Sequence, residues 1–221
     1  MLAINHLNLS FDKKNTLATI ENFKIEKNQQ VALLGRSGVG KTTLLLKILQ
    51  HRQNYENIKL TNCNLGYLSQ SPMILPWYSP QKNVMFGSIL RGESINEIHY
   101  ERANKILESV GLSDSIKKRV EVFSGGEKQR LALARCLFEK SDLILLDEPL
   151  ASLDRLTRLE ITSLCKNILK NTAILLVTHD PRDVIEWVET AYVLTRKQML
   201  GPYALSEFKE EMDLINILSI L

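Results

Sequence analysis

Apolar and polar residues recur along the chain with two different periods. Short apolar runs bounded by polar turns predict buried strands at Gln30 to Leu34, Leu65 to Leu68, Leu143 to Leu146, Ala173 to Val177 and Ala191 to Thr195. Between them, apolar residues three and four apart predict amphipathic helices over residues 41–50, 95–110, 126–139 and 155–169. Because strands and helices alternate, the sequence predicts an α/β fold with a mostly parallel sheet that is covered on both faces.

The segment from Ser71 to Glu121 interrupts this alternation. It opens with three prolines and continues with helical patterns but no convincing strand, so we interpret it as a helical insertion. Ser94 and Glu97 have the spacing of a capping box and predict the start of its main helix, with Gly111 near that helix's end.

The last residues of the chain have helical periodicity. One face of the pattern is apolar and consists of Leu205, Phe208, Met212, Ile215 and Leu218. We expect this face to pack onto the domain, and the alternative is a helix that binds a partner. A chain of 221 residues fits one sizeable α/β domain.

Composition and charge limit the partners and the cellular compartment that we expect for the protein. The 28 Lys and Arg against 25 Asp and Glu leave a formal charge of +3, which gives no electrostatic argument for nucleic acid. Cys63, Cys136 and Cys165 lack the spacing of a metal site and predict structural thiols in a reducing compartment. The N-terminus has no signal-peptide pattern, and no apolar run approaches the roughly 18 residues of a membrane span. A role at a membrane would therefore require a partner.

A glycine-rich loop lies between the first of these strands and the following helix. Its sequence from Gly35 to Thr42 is Gly-Arg-Ser-Gly-Val-Gly-Lys-Thr, which fits the pattern of a phosphate-binding loop in its strand, loop and helix setting. Backbone N–H groups of such a loop surround phosphate oxygens. We expect Lys41 to contact the β and γ phosphates and Thr42 to hold Mg²⁺, with Thr43 also at the nucleotide. The alternative is a flexible glycine turn with a solvated lysine.

Two carboxylates end a later strand. Asp147 and Glu148 follow Leu143 to Leu146, at the sheet edge where phosphates would lie. Asp147 is the candidate Mg²⁺ ligand, and Glu148 is the candidate to polarise the attacking water. A strand end that is acidic by chance is the alternative.

A second glycine-rich element, Ser124 to Glu127, is called the signature segment below. Ser124 and Glu127 have the spacing of a capping box, which is a sufficient structural explanation of those two residues. Gly125 and Gly126 lower helix stability, and they favour a ligand that approaches the backbone closely at the helix N-terminus.

These motifs together resemble the ATP-binding cassette (ABC) family over essentially the whole chain. The phosphate loop, the signature segment, the acidic strand end, Ser152-Leu153-Asp154 and Thr178-His179-Asp180 come in the family's order. The resemblance implies a P-loop NTPase core with an N-terminal antiparallel β part and an inserted helical subdomain. We expect one cassette over residues 1–221, with the core at 1–70 and 131–221 and the helical signature subdomain at 71–130.

The resemblance also implies roles for single residues. Gln70 resembles the glutamine that reaches Mg²⁺ and the water, and His179 resembles the histidine that contacts the γ phosphate. Phe11 resembles the aromatic residue on which adenine stacks. In the family two copies pair head to tail, so Ser124 to Glu127 of one copy would face the ATP held by the other, and Asp154 would cross that interface. The expected cofactors are ATP and Mg²⁺.

The residues after Gln70 indicate a transporter subtype. Leu75-Pro76-Trp77 and Asn83-Val84 are similar to bacterial importers of nitrate, sulfonates, taurine and thiamine precursors. This implies a membrane permease, a solute-binding protein and a second copy as partners, no nucleic acid, and a position on the cytoplasmic face of the inner membrane. Trp77 or Tyr78 would anchor a permease helix, or else both belong to the subdomain core.

Some positions depart from the importer pattern. Glu127 replaces the commoner glutamine, Phe123 the commoner leucine, and residues 119–122 lack the usual proline. Glu127 also suits lipoprotein-release and exporter types, which therefore remain the alternative. A soluble ATPase acting on nucleic acid or ribosomes is less favoured, because no second cassette, coiled-coil arm or basic stripe is visible. A regulatory module with slow ATP turnover also remains an alternative.

Overall fold

The computed structural model describes residues 1–10, 16–50, 57–151, 153–185 and 187–207. The chain divides into two compact units. The first comprises Met1–Leu65, Asp142–Glu148 and Asn171–Leu221, and the second comprises Gly66–Ser141 and Pro149–Lys170. The elements in chain order are β1 (Leu2–Ser10), β2 (Thr16–Ile25), β3 (Gln30–Leu34), α1 (Lys41–Leu49), β4 (Ile58–Leu60), β5 (Leu65–Leu68), α2 (Pro80–Val84), α3 (Phe86–Leu90), α4 (Glu97–Ser109), α5 (Gly125–Phe138), β6 (Leu143–Asp147), α6 (Arg155–Ile168), β7 (Ala173–Thr178), α7 (Arg182–Ile185), β8 (Thr190–Leu194) and β9 (Met199–Ala204).

The first unit contains a small antiparallel sheet in the order β2-β1-β4. Leu2, Ile4, Leu7 and Leu9 of β1 are buried, while the residues between them are exposed or half-buried. This is the pattern of a strand with one solvated face. The antiparallel part implied by the family resemblance is therefore confirmed, although no apolar run predicted these strands.

The same unit contains parallel strands in the order β6-β7-β3-β8, followed by β9, which pairs antiparallel with β8. Every residue of β6 and β7 is buried, as in strands covered on both faces. The register places Leu34 beside Thr178 and Asp147 beside Val177, so β3, β6 and β7 end at one edge. The predicted α/β fold with a mostly parallel sheet is confirmed. The loops that carry the candidate functional residues begin at this edge.

The second unit is mainly helical, with 3-10 turns at Ser113–Ser115 and Val120–Val122. The prediction that Ser94 caps its main helix is wrong. Asn96 caps α4, and its Oδ1 accepts the backbone N–H of His99. Asparagine is as good a cap as serine, and this start places Glu97 in the first turn, where the helix dipole favours an acid.

Gly111 ends α4 as predicted. Its φ is +72°, a left-handed conformation that glycine adopts without strain. The next residue, Leu112, donates its N–H to the carbonyl of Leu107 at 2.8 Å, which closes the last turn.

Asn83 organises the loop that precedes α2. Its Oδ1 accepts the N–H of Leu75 at 2.9 Å and Nη2 of Arg135 at 3.0 Å, while its Nδ2 donates to the carbonyls of Leu75, Tyr78 and Ser79. Arg135, on α5, also donates to the carbonyls of Asn83 and Met73. Two side chains therefore fix the loop of residues 73–79 to α5.

Replacing Asn83 with Ala should lower the free energy of unfolding by about 2–4 kcal/mol, because several buried polar groups lose their partner at once. Urea unfolding followed by circular dichroism measures the change. Asn104→Ala, at an exposed position on α4, is the matched control. Equal losses in the two variants would contradict the structural role of Asn83.

The cysteines are free thiols, and two of them are buried. Burial raises the pKa of Cys136 to about 11 and that of Cys165 to about 12, so neither forms the reactive thiolate at neutral pH. The prediction of structural thiols is confirmed for this pair. Cys63 is only half-buried.

Candidate active site

The phosphate loop connects β3 to α1 in the first unit. Gly40 has a φ of +109°, and a Cβ there would lie 2.9 Å from Cδ2 of Leu9, so only glycine fits. α1 begins with no side-chain cap and no acidic residue in its first turn. The N–H groups and the positive dipole end of this helix are thus available to an anion.

The other residues of the loop lie around the same turn. Arg36, Ser37 and Val39 line a cavity of about 370 Å³ together with Thr195 and Arg196, which follow β8. Gly38 has a φ of +77° and open space at its Cβ position. Thr43 is half-buried on α1.

Lys41 is the first residue of α1, and its side chain is buried. Nζ donates to the carbonyls of Gly35 at 2.8 Å and Arg36 at 3.2 Å, so the side chain folds back beneath the loop. Burial lowers the pKa of Lys41, and the nearby carboxylates of Glu148 and Asp147 oppose this effect. Burial of an ammonium group costs free energy unless an anion lies nearby, so an anion in the loop would be strongly attracted to Lys41.

Thr42 and Asp147 meet directly. The Thr42 hydroxyl donates to Oδ1 of Asp147 at 3.2 Å, and Asp147 is buried at the end of β6. A hydroxyl and a carboxylate are oxygen donors of the kind that Mg²⁺ prefers, and Mg²⁺ takes its other ligands from phosphates and water. Within the described ranges no cluster of three or more His, Cys, Asp or Glu could hold a metal alone. The residues therefore fit a Mg²⁺ that arrives with a nucleotide.

Glu148 follows β6 with an unusual backbone. Its φ is +45°, in the left-handed region, while its N–H still donates to the carbonyl of Val177 at 2.8 Å. Its carboxylate lies 3.6 Å from Nζ of Lys41 through Oε1 and 3.2 Å from Nδ1 of His179 through Oε2. One carboxylate thus bridges the phosphate loop and the residue that follows β7.

The turn that carries His179 is held by a buried acid. Thr178 donates its hydroxyl to Oδ2 of Asp183 at 2.8 Å and accepts the N–H of Asp180 at 3.1 Å. Asp180 in turn accepts the N–H of Arg182 at the start of α7, as a helix cap does. The His179 side chain stays half-exposed beside Glu148. Asp183 was not predicted from the sequence, where its signal is no more than an acid near the start of a short helix.

Five predicted residues thus come together at one edge of the sheet in the first unit, namely Lys41, Thr42, Asp147, Glu148 and His179. Gln70 lies two residues after β5 in the second unit. Phe11 and Ser152 lie outside the described residues, as does most of the predicted C-terminal helical face from Phe208 onward.

The signature segment begins α5 in the second unit. Ser124 Oγ accepts the N–H of Glu127 at 3.1 Å, and Oε2 of Glu127 accepts the N–H of Ser124 at 2.9 Å, so the predicted capping box is confirmed. A Cβ at Gly126 would lie 2.7 Å from Cγ2 of Thr157. Packing inside the unit therefore already requires Gly126, whereas Gly125 has ordinary space around it.

Replacing Gly126 with Ala should destabilise the protein by about 1–3 kcal/mol, because the new methyl group overlaps the methyl group of Thr157. Thermal unfolding measures the loss. Thr157→Ser in the same chain should restore stability, since it removes Cγ2 and keeps the hydroxyl. Gly125→Ala is the control and should cost less; a larger loss there would contradict the packing argument.

Asp154 caps its own helix, α6. Its Oδ1 accepts the N–H groups of Leu156 and Thr157 at 3.1 Å, and its Oδ2 accepts the Thr157 hydroxyl at 2.6 Å. The Thr157 hydroxyl, followed by the Thr157 N–H, lowers the pKa of this carboxyl. The Asp154 carboxylate would have to break these hydrogen bonds before it could contact a second copy of the chain.

Known proteins share this sequence pattern. The family described as ABC transporter matches residues 19–151, which include the phosphate loop, the signature segment, Asp147 and Glu148. The chain belongs to this family. It is an ATP-binding protein and an ATPase, as the order of its motifs implied.

Two relatives show how far the likeness extends. An ABC transporter ATP-binding protein of Haemophilus influenzae is 36% identical over 198 residues, which cover 88% of this chain and 82% of that protein. The taurine import ATP-binding protein TauB of Escherichia coli O6:H1 is 35% identical over 213 residues, covering 91% of this chain and 80% of TauB. The family likeness thus spans nearly the whole chain.

Solved structures show the same fold. A metal-chelate type ABC transporter in an inward-facing conformation superposes with a TM-score of 0.84 at 24% identity, covering 100% of this chain and 89% of that one. The protein cbiO1 of Clostridium perfringens, part of the ABC transporter complex cbiONQ, gives 0.82 at 22% identity, covering 99% and 94%. Among the described residues no helix is long and apolar enough to cross a membrane.

Proposed function

We propose that this chain is the ATP-hydrolysing subunit of an ABC importer for a small solute. The observation that carries the proposal is the contact of Glu148 with both Lys41 and His179 at the edge where β3, β6 and β7 end. The likeness to TauB across 91% of the chain supports the importer type.

Nucleotide binding uses the phosphate loop. Its N–H groups and the N-terminus of α1 hold the phosphates, and Lys41 exchanges part of its contact with Glu148 for the β and γ phosphate oxygens. Thr42 and Asp147 would hold Mg²⁺, which supplies positive charge to the phosphates when bound. Phe11 is assigned to the adenine by the family resemblance.

Hydrolysis uses the residues beyond the loop. When Lys41 binds the phosphates, the Glu148 carboxylate can orient a water molecule and accept its proton. His179, at 3.2 Å from Glu148, holds the carboxylate in position and can donate a hydrogen bond to the γ phosphate. Gln70 would reach the same water when the site is complete.

Two copies would pair head to tail, with Ser124 to Glu127 of one copy against the nucleotide of the other. Ser124 suits this role because its Oγ already accepts the N–H of Glu127, which leaves the hydroxyl proton to donate to a phosphate. Closure and reopening of the pair would gate turnover.

The membrane partner would dock on the loop before α2. Met73 and Trp77 there are 69% and 73% exposed, in a loop that Asn83 and Arg135 hold in place. The exposure of Trp77 favours the anchoring role over the core alternative, whereas Tyr78 is half-buried and its ring lies beside that of Phe86. The proposed partners are a permease and a solute-binding protein, at the cytoplasmic face of the inner membrane.

Purification of the tagged chain from its native host, with identification of the bound membrane proteins, tests this proposal. A multispanning permease together with an extracytoplasmic solute-binding protein is the expected result. A permease alone would favour the lipoprotein-release or exporter type, which Glu127 also suits. Ribosomal or DNA-repair components would overturn the transport function.

A further inference from the structure

Glu127 places a negative charge beside a proposed phosphate site. It is the third residue of α5, directly after the two glycines of the signature segment. A glutamine there would make the same capping bond without a charge. Because like charges repel, an acidic side chain at this position disfavours the approach of a polyphosphate unless something nearby offsets it.

Three groups of the second unit bind the Glu127 carboxylate. Oε2 accepts the N–H of Ser124 at 2.9 Å, Oε1 accepts the hydroxyl of Ser115 at 2.7 Å, and Nζ of Lys118 lies 3.5 Å from Oε1. The Ser124 N–H, then the Ser115 hydroxyl and the charge of Lys118, lower the pKa of Glu127, so it is anionic at neutral pH.

Ser115 and Lys118 come from one turn. Ser115 ends the 3-10 turn that follows α4 and is buried, and the N–H of Lys118 donates to its carbonyl at 3.0 Å. This bond places both side chains at the same oxygen of Glu127. The Lys118 side chain is 51% exposed, so it remains in contact with solvent while it pairs with Glu127.

We propose that Lys118 is a positioning residue that makes the acidic signature segment compatible with ATP, with Ser115 orienting the Glu127 carboxylate toward it. The inference rests on the proposed head-to-tail pairing, in which the ATP of a second copy meets Ser124 to Glu127. Lys118 then offsets the charge of Glu127 where the polyphosphate approaches the signature segment. The role of Lys118 is conditional on Glu127, which distinguishes it from a general attraction between a basic surface and ATP.

A double-mutant cycle tests this dependence. The variants are Lys118→Met, Glu127→Gln and their combination, each in the Glu148→Gln background, where slow hydrolysis lets the ATP-bound dimer accumulate. Light scattering after size-exclusion chromatography gives the ATP concentration at which half of the protein is dimeric. Lys118→Met should raise this concentration about threefold to fivefold, and should change it little in the chain that already carries Glu127→Gln.

Lys117→Met is the matched control, because it removes the same charge from the exposed neighbouring residue. It should leave the ATP concentration for dimerisation unchanged. In chains that retain Glu148, Lys118→Met should raise KM for ATP more than it lowers kcat, because Lys118 is assigned to the capture of ATP at the signature segment and not to activation of the water. Thermal unfolding checks that each variant folds, and Lys118→Gln replaces the Met variant if it does not.

The outcomes separate the two proposals. An equal effect of Lys118→Met in the chain that retains Glu127 and in the Glu127→Gln chain, or an equal effect of Lys117→Met, overturns the role of Lys118 while the pairing stands. If the Glu148→Gln chain forms no dimer at any ATP concentration, the proposed pairing fails and the role of Lys118 fails with it.

Discussion

Replacing Glu148 with Gln should reduce ATP turnover at least about a hundredfold, the usual scale for loss of a general base. Gln keeps the shape of the side chain but cannot accept the proton of the attacking water. The steady-state rate of phosphate release measures the effect. ATP binding should persist, because Nζ of Lys41 is also held by the carbonyls of Gly35 and Arg36, and the loop N–H groups belong to the backbone.

Glu189→Gln is the matched control, since it removes an exposed carboxylate from the same unit. Its turnover should equal that of the unaltered protein. Full activity in Glu148→Gln would remove Glu148 from the proposed mechanism and leave its contacts with Lys41 and His179 as structural ones.

Replacing Lys41 with Ala should abolish the stabilisation of the protein by ATP. In the unaltered chain, ATP at a hundred times its Kd should stabilise the folded state by about 2.7 kcal/mol, which corresponds to a rise in Tm of roughly 5–10 °C at this size. Without the buried ammonium the phosphates lose their main cationic contact. Differential scanning fluorimetry with and without Mg-ATP measures the shift.

Lys47→Ala removes the same charge from the last turn of the same helix and serves as the control. It should keep the full rise in Tm. A rise of the same size in Lys41→Ala would show that ATP binds elsewhere or without this lysine, and either finding would contradict the proposed site.

Strands that are buried on both faces were predictable from the sequence. β6 and β7 are covered on both faces, so their sequences are unbroken apolar runs, and both strands were predicted. β9 was missed, because its residues are half-exposed and include Gly201 and Pro202, which weaken a strand signal. The start of α4 was misplaced by two residues, because Ser94 and Asn96 are both good caps and only the three-dimensional path of the chain selects one.

The residues of the site were predictable for a topological reason. Parallel strands end at one edge, so residues that follow β3, β6 and β7 must meet there whatever the details of the loops. The left-handed backbone of Glu148, the support of Thr178 by Asp183, and the packing of Gly126 against Thr157 were not predictable. They depend on neighbours that are distant in sequence. The roles of Gln70 and Phe11 stay predictions.

The attachment of the loop of residues 73–79 to α5 has a mechanical consequence. Arg135 binds the carbonyl of Met73 and lies eleven residues beyond Ser124 on one uninterrupted helix, about 16 Å along its axis. Such a helix transmits a tilt at one end to the other with little bending. If the proposed permease contacts Met73 and Trp77, a force on this loop would therefore tilt α5 and displace Ser124 at its other end, which would couple movement of the permease to the capture of ATP.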